Sequence, residues 1–297
     1  MHYVGTGGDK GDEVIRSWVT SKMPIRVFGR VYLSTSNRAD RLIADTVNAR
    51  RARLADLMIE RTGCVVQSGL FEGTVLPPPM AWGAEDYAAM LLGAYEQELH
   101  DALRICLDLH PDTVVNLGCA SGLYAAGLGR LLPGCDVVAI DIAPVALTAT
   151  ARAWELNRLG ETNPLELFLG AAEHANLSAW LGSRDRPLVF CDIEGDEREL
   201  LDPIGVPELT KAILVCELHD DFVPGITELL TERFAPTHRL TFFVSGSRDP
   251  HALPALADVV EHDRWLAMSE GRPSAGHWMF AVPRSLDGHR SVPASGM

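Results

Sequence analysis

Two short stretches of the 297-residue chain concentrate side chains that can move protons or hold a cation, CDIEGDERELL at 191–201 and LVCELHDDFVPG at 214–225. Asp192 and Glu194 follow one apolar run, while Glu217, His219 and Asp220 close or follow the next. His219 is the candidate general base, because an imidazole with an ordinary pKa of about 6.5 can take a proton at neutral pH. Asp192 and Glu194 are the carboxylates expected beside it, and their charge would favour the imidazolium and raise that pKa. The same atoms offer a second chemistry. Asp192 with Glu217 and His219 could hold a divalent metal that would bind and acidify adjacent hydroxyls. No compact motif such as H-E-x-x-H enforces that site.

A further stretch, VVNLGCASGLYAAGLGRLL at 114–132, runs from an apolar strand into Gly118-Cys119-Ala120-Ser121-Gly122 and then into a helical pattern. Glycine there lets the backbone approach a ligand, and the helix N-terminus favours anionic or polar groups. Ala120 stands where the dinucleotide fingerprint G-x-G-x-x-G needs its second glycine, which weakens a pyrophosphate reading. No G-x-x-x-x-G-K-[ST] occurs, which excludes a P-loop. The next apolar run ends in Asp141, followed by Ile142, about twenty residues beyond the loop and placed to take both hydroxyls of a ribose. Its alternative role is to cap the helix that Pro144 would begin. After the third run, FLGAAEH places Gly170–Glu173, with Ala171 and Ala172, where they could line an adenine pocket.

These residues need a scaffold that gathers them, and the patterning supplies one. Apolar runs at 113–117, 136–140, 165–169, 187–191, 211–218, 239–245 and 277–282 read as strands. Helices fit between them at 121–132, 144–159, 196–202 and 225–233. Continuous apolar strands alternating with helices imply a parallel sheet covered on both faces. The last two strands lie closer to a hairpin pattern, so one is expected to run antiparallel. In such a sheet the carboxyl ends of the strands converge on one crevice. Before Pro111 the pattern is mainly helical. Residues 37–61, with Asn37 as cap, and residues about 84–109 show apolar positions at helical spacing, and CVVQSGLFEGTVL between them reads as a hairpin or edge ribbon.

NLGCASG followed by Asp141, then FLGAAEH and the strand-end acid Asp192, resembles the class I S-adenosylmethionine-dependent methyltransferases over about 111–283. The resemblance implies an α/β, doubly wound, mostly parallel seven-stranded sheet of the Rossmann-like methyltransferase fold, with a mainly helical N-terminal cap over residues 1–110 and the methyltransferase domain over 111–297. It implies S-adenosylmethionine as cofactor, held by Asn116, Gly118, Cys119, Ser121, Gly122, Asp141, Ile142, Ala171 and Ala172. Families of this type usually carry an acid where this chain has Asn116, so Glu96 or Asp192 would have to face the cofactor's ammonium. DIEGDE at 192–197 is similar to the D-[VI]-E-G-x-E signature of the FkbM-type methyltransferases, and ELH at 217–219 accompanies it. That likeness implies methylation of a hydroxyl on a small molecule, such as a sugar or secondary metabolite. N- or C-methylation, or a catalytically silent cofactor-binding protein, are the alternatives.

The chain carries 26 Lys+Arg against 40 Asp+Glu, a net charge of −14. An acidic surface repels phosphate backbones, so a small-molecule acceptor is expected rather than nucleic acid. Eight of the 40 acids fall in DIEGDERE and ELHDD alone, which puts that repulsion at the predicted site. Six scattered cysteines form no C-x-x-C pair and build neither a zinc cage nor a disulfide framework. With no apolar leader and no stretch of eighteen apolar residues, a cytoplasmic protein with no membrane partner is expected. The first dozen residues and the tail after Pro283 are expected to be flexible. Arg50, Arg51 and Arg53 read as a solvated helix face or a homodimer contact. Arg272, in AMSEGRPSAGHWMFAVPR, could bind an acidic substrate group or lie on a surface loop.

Overall fold

The computed structural model describes residues 38–80, 84–272 and 274–286. Asn37, the first dozen residues and the tail beyond Leu286 lie outside them. Seven strands form one sheet: β1 (Thr113–Leu117), β2 (Asp136–Asp141), β3 (Leu165–Leu169), β4 (Pro187–Cys191), β5 (Ile213–Glu217), β6 (His238–Val244) and β7 (His277–Pro283). Their order is β3-β2-β1-β4-β5-β7-β6. The first five pair in parallel, and β7 runs antiparallel between β5 and β6. This is the doubly wound, mostly parallel sheet that the sequence implies.

The central strands β1, β4 and β5 are buried at every position, which is why they read as continuous apolar runs rather than alternating ones. Val114, Val137, Leu188 and Ile213 face one core, shared with helices α1 (Arg38–Thr62), α2 (Tyr87–Leu92), α3 (His100–Asp108), α4 (Leu123–Leu131) and α5 (Pro144–Leu156). Val115, Val138, Val189 and Leu214 face the other, covered by α6 (His174–Leu181), α7 (Glu197–Leu200) and α8 (Ile226–Phe234). No helix among the described residues is long and apolar enough to cross a membrane.

Three differences from the sequence reading have physical causes in the structure. The single helix expected over about 84–109 is broken at Gly93, whose φ is +73°, and a Cβ there would lie 2.0 Å from the Ser68 carbonyl oxygen. Close backbone approach ends α2, and the chain turns through Glu96, at φ +47°, before α3. Helix α6 is additional. Glu173 caps it, and the Asn176 side chain accepts from the Glu173 backbone N–H, the reciprocal arrangement of a capping box. Helix α9 (Glu261–Ala267) is also additional, and it explains the arginines of α1. Arg50 donates to Asp263 (3.0 Å), and the buried Arg51 pairs with Asp86 at 2.5 Å and donates to the Ser269 carbonyl at 2.9 Å. Arg51 is therefore not on a solvated face, whereas Arg50 stays exposed along part of its side chain. They fasten α1 to the segment that leads into β7.

Candidate functional site

The carboxyl ends of β1, β2, β4 and β5 open into one cavity of about 1100 Å³. The loop after β1 forms one wall. Gly118 has φ +81°, and a Cβ on it would lie 1.8 Å from the Asp192 carbonyl oxygen, so only glycine lets this loop pass over the end of β4. The Gly118 and Cys119 N–H groups both donate to the Ile140 carbonyl, at 2.9 and 3.0 Å, tying the loop to β2.

Asp141 closes β2 and is almost completely buried, yet it reaches the cavity wall. Its Oδ2 accepts from the Ala120 N–H at 3.2 Å and its Oδ1 from the Ala143 N–H at 2.9 Å. The carboxylate thus holds the loop and the start of α5 while lining the cavity. Gly118, Ser121 and Ile142 share this wall. Asn116, Cys119, Gly122, Ala171, Ala172 and Glu96 do not line it. Asn116 is fully buried in β1, with neither its amide oxygen nor its nitrogen hydrogen-bonded. Ala171 is exposed and Ala172 half-buried near the cap of α6.

The second wall comes from β4 and β5. Because these strands pair in parallel, with Cys191 beside Cys216, the residues just past their ends emerge side by side. His219 Nε2 lies 3.6 Å from Asp192 Oδ1, 3.6 Å from Glu194 Oε2 and 3.6 Å from Glu217 Oε2. Its Nδ1 is 2.9 Å from Oε1 of Glu197, a fully buried carboxylate that also accepts from the Ile193 N–H at 3.1 Å. Glu197 was not among the residues singled out, although its place in DIEGDE, at the start of a helical turn, carried the signal.

Burial alone would lower the His219 pKa. The hydrogen bond and charge of Glu197, with the charges of Glu217 and Asp192, outweigh that and raise it to about 10. The direction is the one expected of a histidine placed beside carboxylates. Burial, reinforced by the charge of Asp192, pushes Glu194 up and Glu217 well up.

Above this wall lies an ion-pair network. Arg272 donates to Glu96 and Glu217, and from Nε to Glu270 at 2.7 Å. Arg248 bridges Glu98 at 3.0 Å and Glu270, and the Tyr124 hydroxyl donates to Glu96. Arg272 is therefore neither on a surface loop nor free for an acidic substrate, since its guanidinium already serves three carboxylates. Burial lifts Glu96 to about 8 despite Arg272.

The raised groups predict a pH dependence. Glu96, with its folded pKa of about 8 above the ordinary carboxylate value, and His219, at about 10 above the ordinary imidazole value, bind more protons folded than unfolded. Stability is then greatest on the acid side and falls as pH rises. Thermal denaturation should show the midpoint decreasing from about pH 5 to about pH 9. Glu96→Gln should flatten the part between about pH 5 and 8, and an unchanged slope would remove Glu96 as its source.

No family model matches the chain. Over 95 residues it is 36% identical to the ribosomal protein L11 methyltransferase of Herpetosiphon aurantiacus, a stretch covering 30% of this chain and 29% of that protein. The chain thus matches less than a third of that relative's length. Among solved structures it is similar to the O-methyltransferase TomG of Streptomyces achromogenes, in complex with SAM (14% identity, TM-score 0.40, 63% of this chain and 79% of that one). It is also similar to the human methyltransferase 10 domain containing protein (12% identity, TM-score 0.45, 80% and 96%). An O-methyltransferase of Bacillus cereus in complex with SAH is a third (11% identity, TM-score 0.40, 84% and 99%). By its seven-stranded sheet, helices on both faces and single antiparallel strand, the chain has the Rossmann-like fold of the class I methyltransferases.

Proposed function

We propose that the chain is an S-adenosylmethionine-dependent methyltransferase acting on a hydroxyl of a small molecule, such as a sugar or secondary metabolite. The observation that carries this reading is Asp141. A strand-end carboxylate sits beside a glycine loop in the wall of a cavity of about 1100 Å³, large enough for a nucleoside cofactor and an acceptor together. When bound, the cofactor supplies an electrophilic methyl group on a sulfonium.

The chain's own residues do the rest. Asp141 holds the ribose, with Gly118, Ser121 and Ile142 forming the adjoining wall. The surplus of carboxylates over cations around Asp192 and Glu194 favours a positively charged ligand. His219 orients the acceptor hydroxyl, and its cluster with the carboxylates Asp192 and Glu194 relieves that hydroxyl of its proton, the task that general acid–base groups perform in the transition state. An acid-lined mouth suits a neutral or cationic acceptor and disfavours nucleic acid.

Titration calorimetry with S-adenosylhomocysteine, followed by transfer of labelled methyl from S-adenosylmethionine to a panel of hydroxyl compounds, tests the reading. Binding and transfer are both expected. His219→Asn should lower turnover about 100-fold while cofactor affinity holds. Absence of S-adenosylhomocysteine binding would overturn the proposal. Binding without transfer to any oxygen, nitrogen or carbon acceptor would leave a silent binding protein.

A further inference from the structure

We propose that Asp192, Glu194 and His219 form a binding site for one divalent transition-metal cation of the manganese or zinc type. One donor atom from each, Asp192 Oδ1, Glu194 Oε2 and His219 Nε2, lies within 4.8 Å of the others. The two nitrogen-to-oxygen separations are both 3.6 Å. Ligands bonded at about 2.0–2.2 Å to one ion stand roughly 3 to 3.5 Å apart, so a small side-chain adjustment closes the set.

Three observations separate this cluster from an ordinary patch of acids. The first is that its donors face one another without being hydrogen-bonded to one another. Nε2 is surrounded by three carboxylate oxygens at 3.6 Å, beyond hydrogen-bonding distance from each. Asp192 Oδ1, itself one of the proposed ligand atoms, is buried and has no hydrogen-bond partner. An imidazole and a carboxylate left to pair would close to about 2.8 Å.

The second is the support behind the histidine. Nδ1 is engaged at 2.9 Å by Glu197, which is fully buried and anchored to the Ile193 N–H. With the Nδ1 proton directed at that carboxylate, Nε2 faces Asp192 and Glu194, and a cation bound there displaces the proton it carries. A carboxylate behind a histidine is the arrangement that fixes the tautomer and ring orientation of a metal-bound imidazole.

The third is access. All three residues line the cavity, so coordination positions they leave open face a ligand there. Glu194 is held at φ +59° next to Gly195 at φ +110°, a left-handed turn that brings its side chain back over the end of β4. One imidazole and two carboxylates suit manganese or zinc, whereas calcium and magnesium favour oxygen alone. Arg272 makes its ion pairs with Glu96, Glu217 and Glu270 rather than with Asp192 or Glu194. The binding itself stands apart from the proposed function. Only its use, to draw an acceptor hydroxyl toward His219, rests on that reading.

The test uses the full chain, stripped with a chelator and desalted, without S-adenosylmethionine. Titration with Mn²⁺ followed by electron paramagnetic resonance should show the free-ion signal suppressed by one equivalent per chain. Added Zn²⁺ should restore that signal, and millimolar Mg²⁺ should not. His219→Ala and Asp192→Asn should each weaken Mn²⁺ binding about ten-fold or more. Glu197→Gln leaves the three ligands in place and should still weaken binding about ten-fold. Asp101→Asn, on the exposed face of α3, should change nothing. Circular dichroism checks that each variant is folded, and if His219→Ala is not, the stoichiometry and Glu197→Gln still decide.

No retention of Mn²⁺ or Zn²⁺ at about 1 mM would overturn the site. So would binding that survives both His219→Ala and Asp192→Asn. Calorimetry with S-adenosylhomocysteine in the presence of chelator separates the two proposals. Cofactor binding with no metal binding removes the metal site alone, and metal binding with no cofactor binding removes the methyltransferase reading alone.

Discussion

Asp141→Ala should weaken S-adenosylhomocysteine binding about 100-fold, measured by titration calorimetry at fixed pH and salt. Two hydroxyls on one carboxylate make two charge-assisted hydrogen bonds, each worth about 1.5–3 kcal/mol. At the lower figure the pair amounts to about 3 kcal/mol, or two decades in affinity. Asp141→Asn keeps the size and one acceptor oxygen, so about ten-fold is expected for it. Alanine also releases both the Ala120 and Ala143 N–H groups from which the carboxylate accepts, and asparagine releases one of them. That effect belongs to stability, about 1 kcal/mol, and appears in the melting temperature rather than in the ratio between the two variants. An affinity unchanged in both would reduce Asp141 to the helix cap that Pro144 also suggests.

Arg272→Met should be the most destabilising single change in the site. The guanidinium is the shared partner of Glu96, Glu217 and Glu270, whose side chains are 1%, 6% and 6% exposed. Removing one member of a buried charge network strands the others and costs about 3–5 kcal/mol. For a chain of this size that lowers the melting temperature by roughly 10 °C. The acids can limit the damage by taking up protons, and Glu96, already at about 8, is the readiest to do so. The loss should therefore be larger at pH 9 than at pH 6. Scanning calorimetry at both values measures it, and equal midpoints for variant and parent would show the network to be dispensable. Arg272→Lys should recover little, because an ammonium cannot present three directed donors in one plane.

Much of the fold follows from local pattern. Unbroken apolar runs such as TVVNL and PLVFC can persist only in strands covered on both faces, and the helical segments between them enforce parallel crossovers. Once the strands are parallel, residues just past their carboxyl ends must meet. That is why Asp141, Asp192, Glu194, Glu217 and His219 could be assembled from spacing alone. The glycine at 118 was legible for the same reason: a strand that turns at once into a helix, passing over its neighbour, leaves no room for a Cβ.

The rest depended on contacts between distant positions. The break at Gly93 is set by the Ser68 backbone, which no periodicity within 84–109 reveals. Glu96 and Arg272, 176 residues apart, look like an available acid and an available base until the loop before β7 folds against the turn between α2 and α3 and pairs them. His219 seemed suited to neutral pH from its residue type. Its protonation is decided by Glu197, buried beneath it, and by carboxylates arriving from two strands. Which side chains could do chemistry, and at which end of the sheet they gather, was determined by residue type and strand pattern, since both act over a few residues. Which of them keep their charges, and which are consumed in holding the structure together, was decided by the tertiary structure, because desolvation and ion pairing in a buried site depend on every group packed against it.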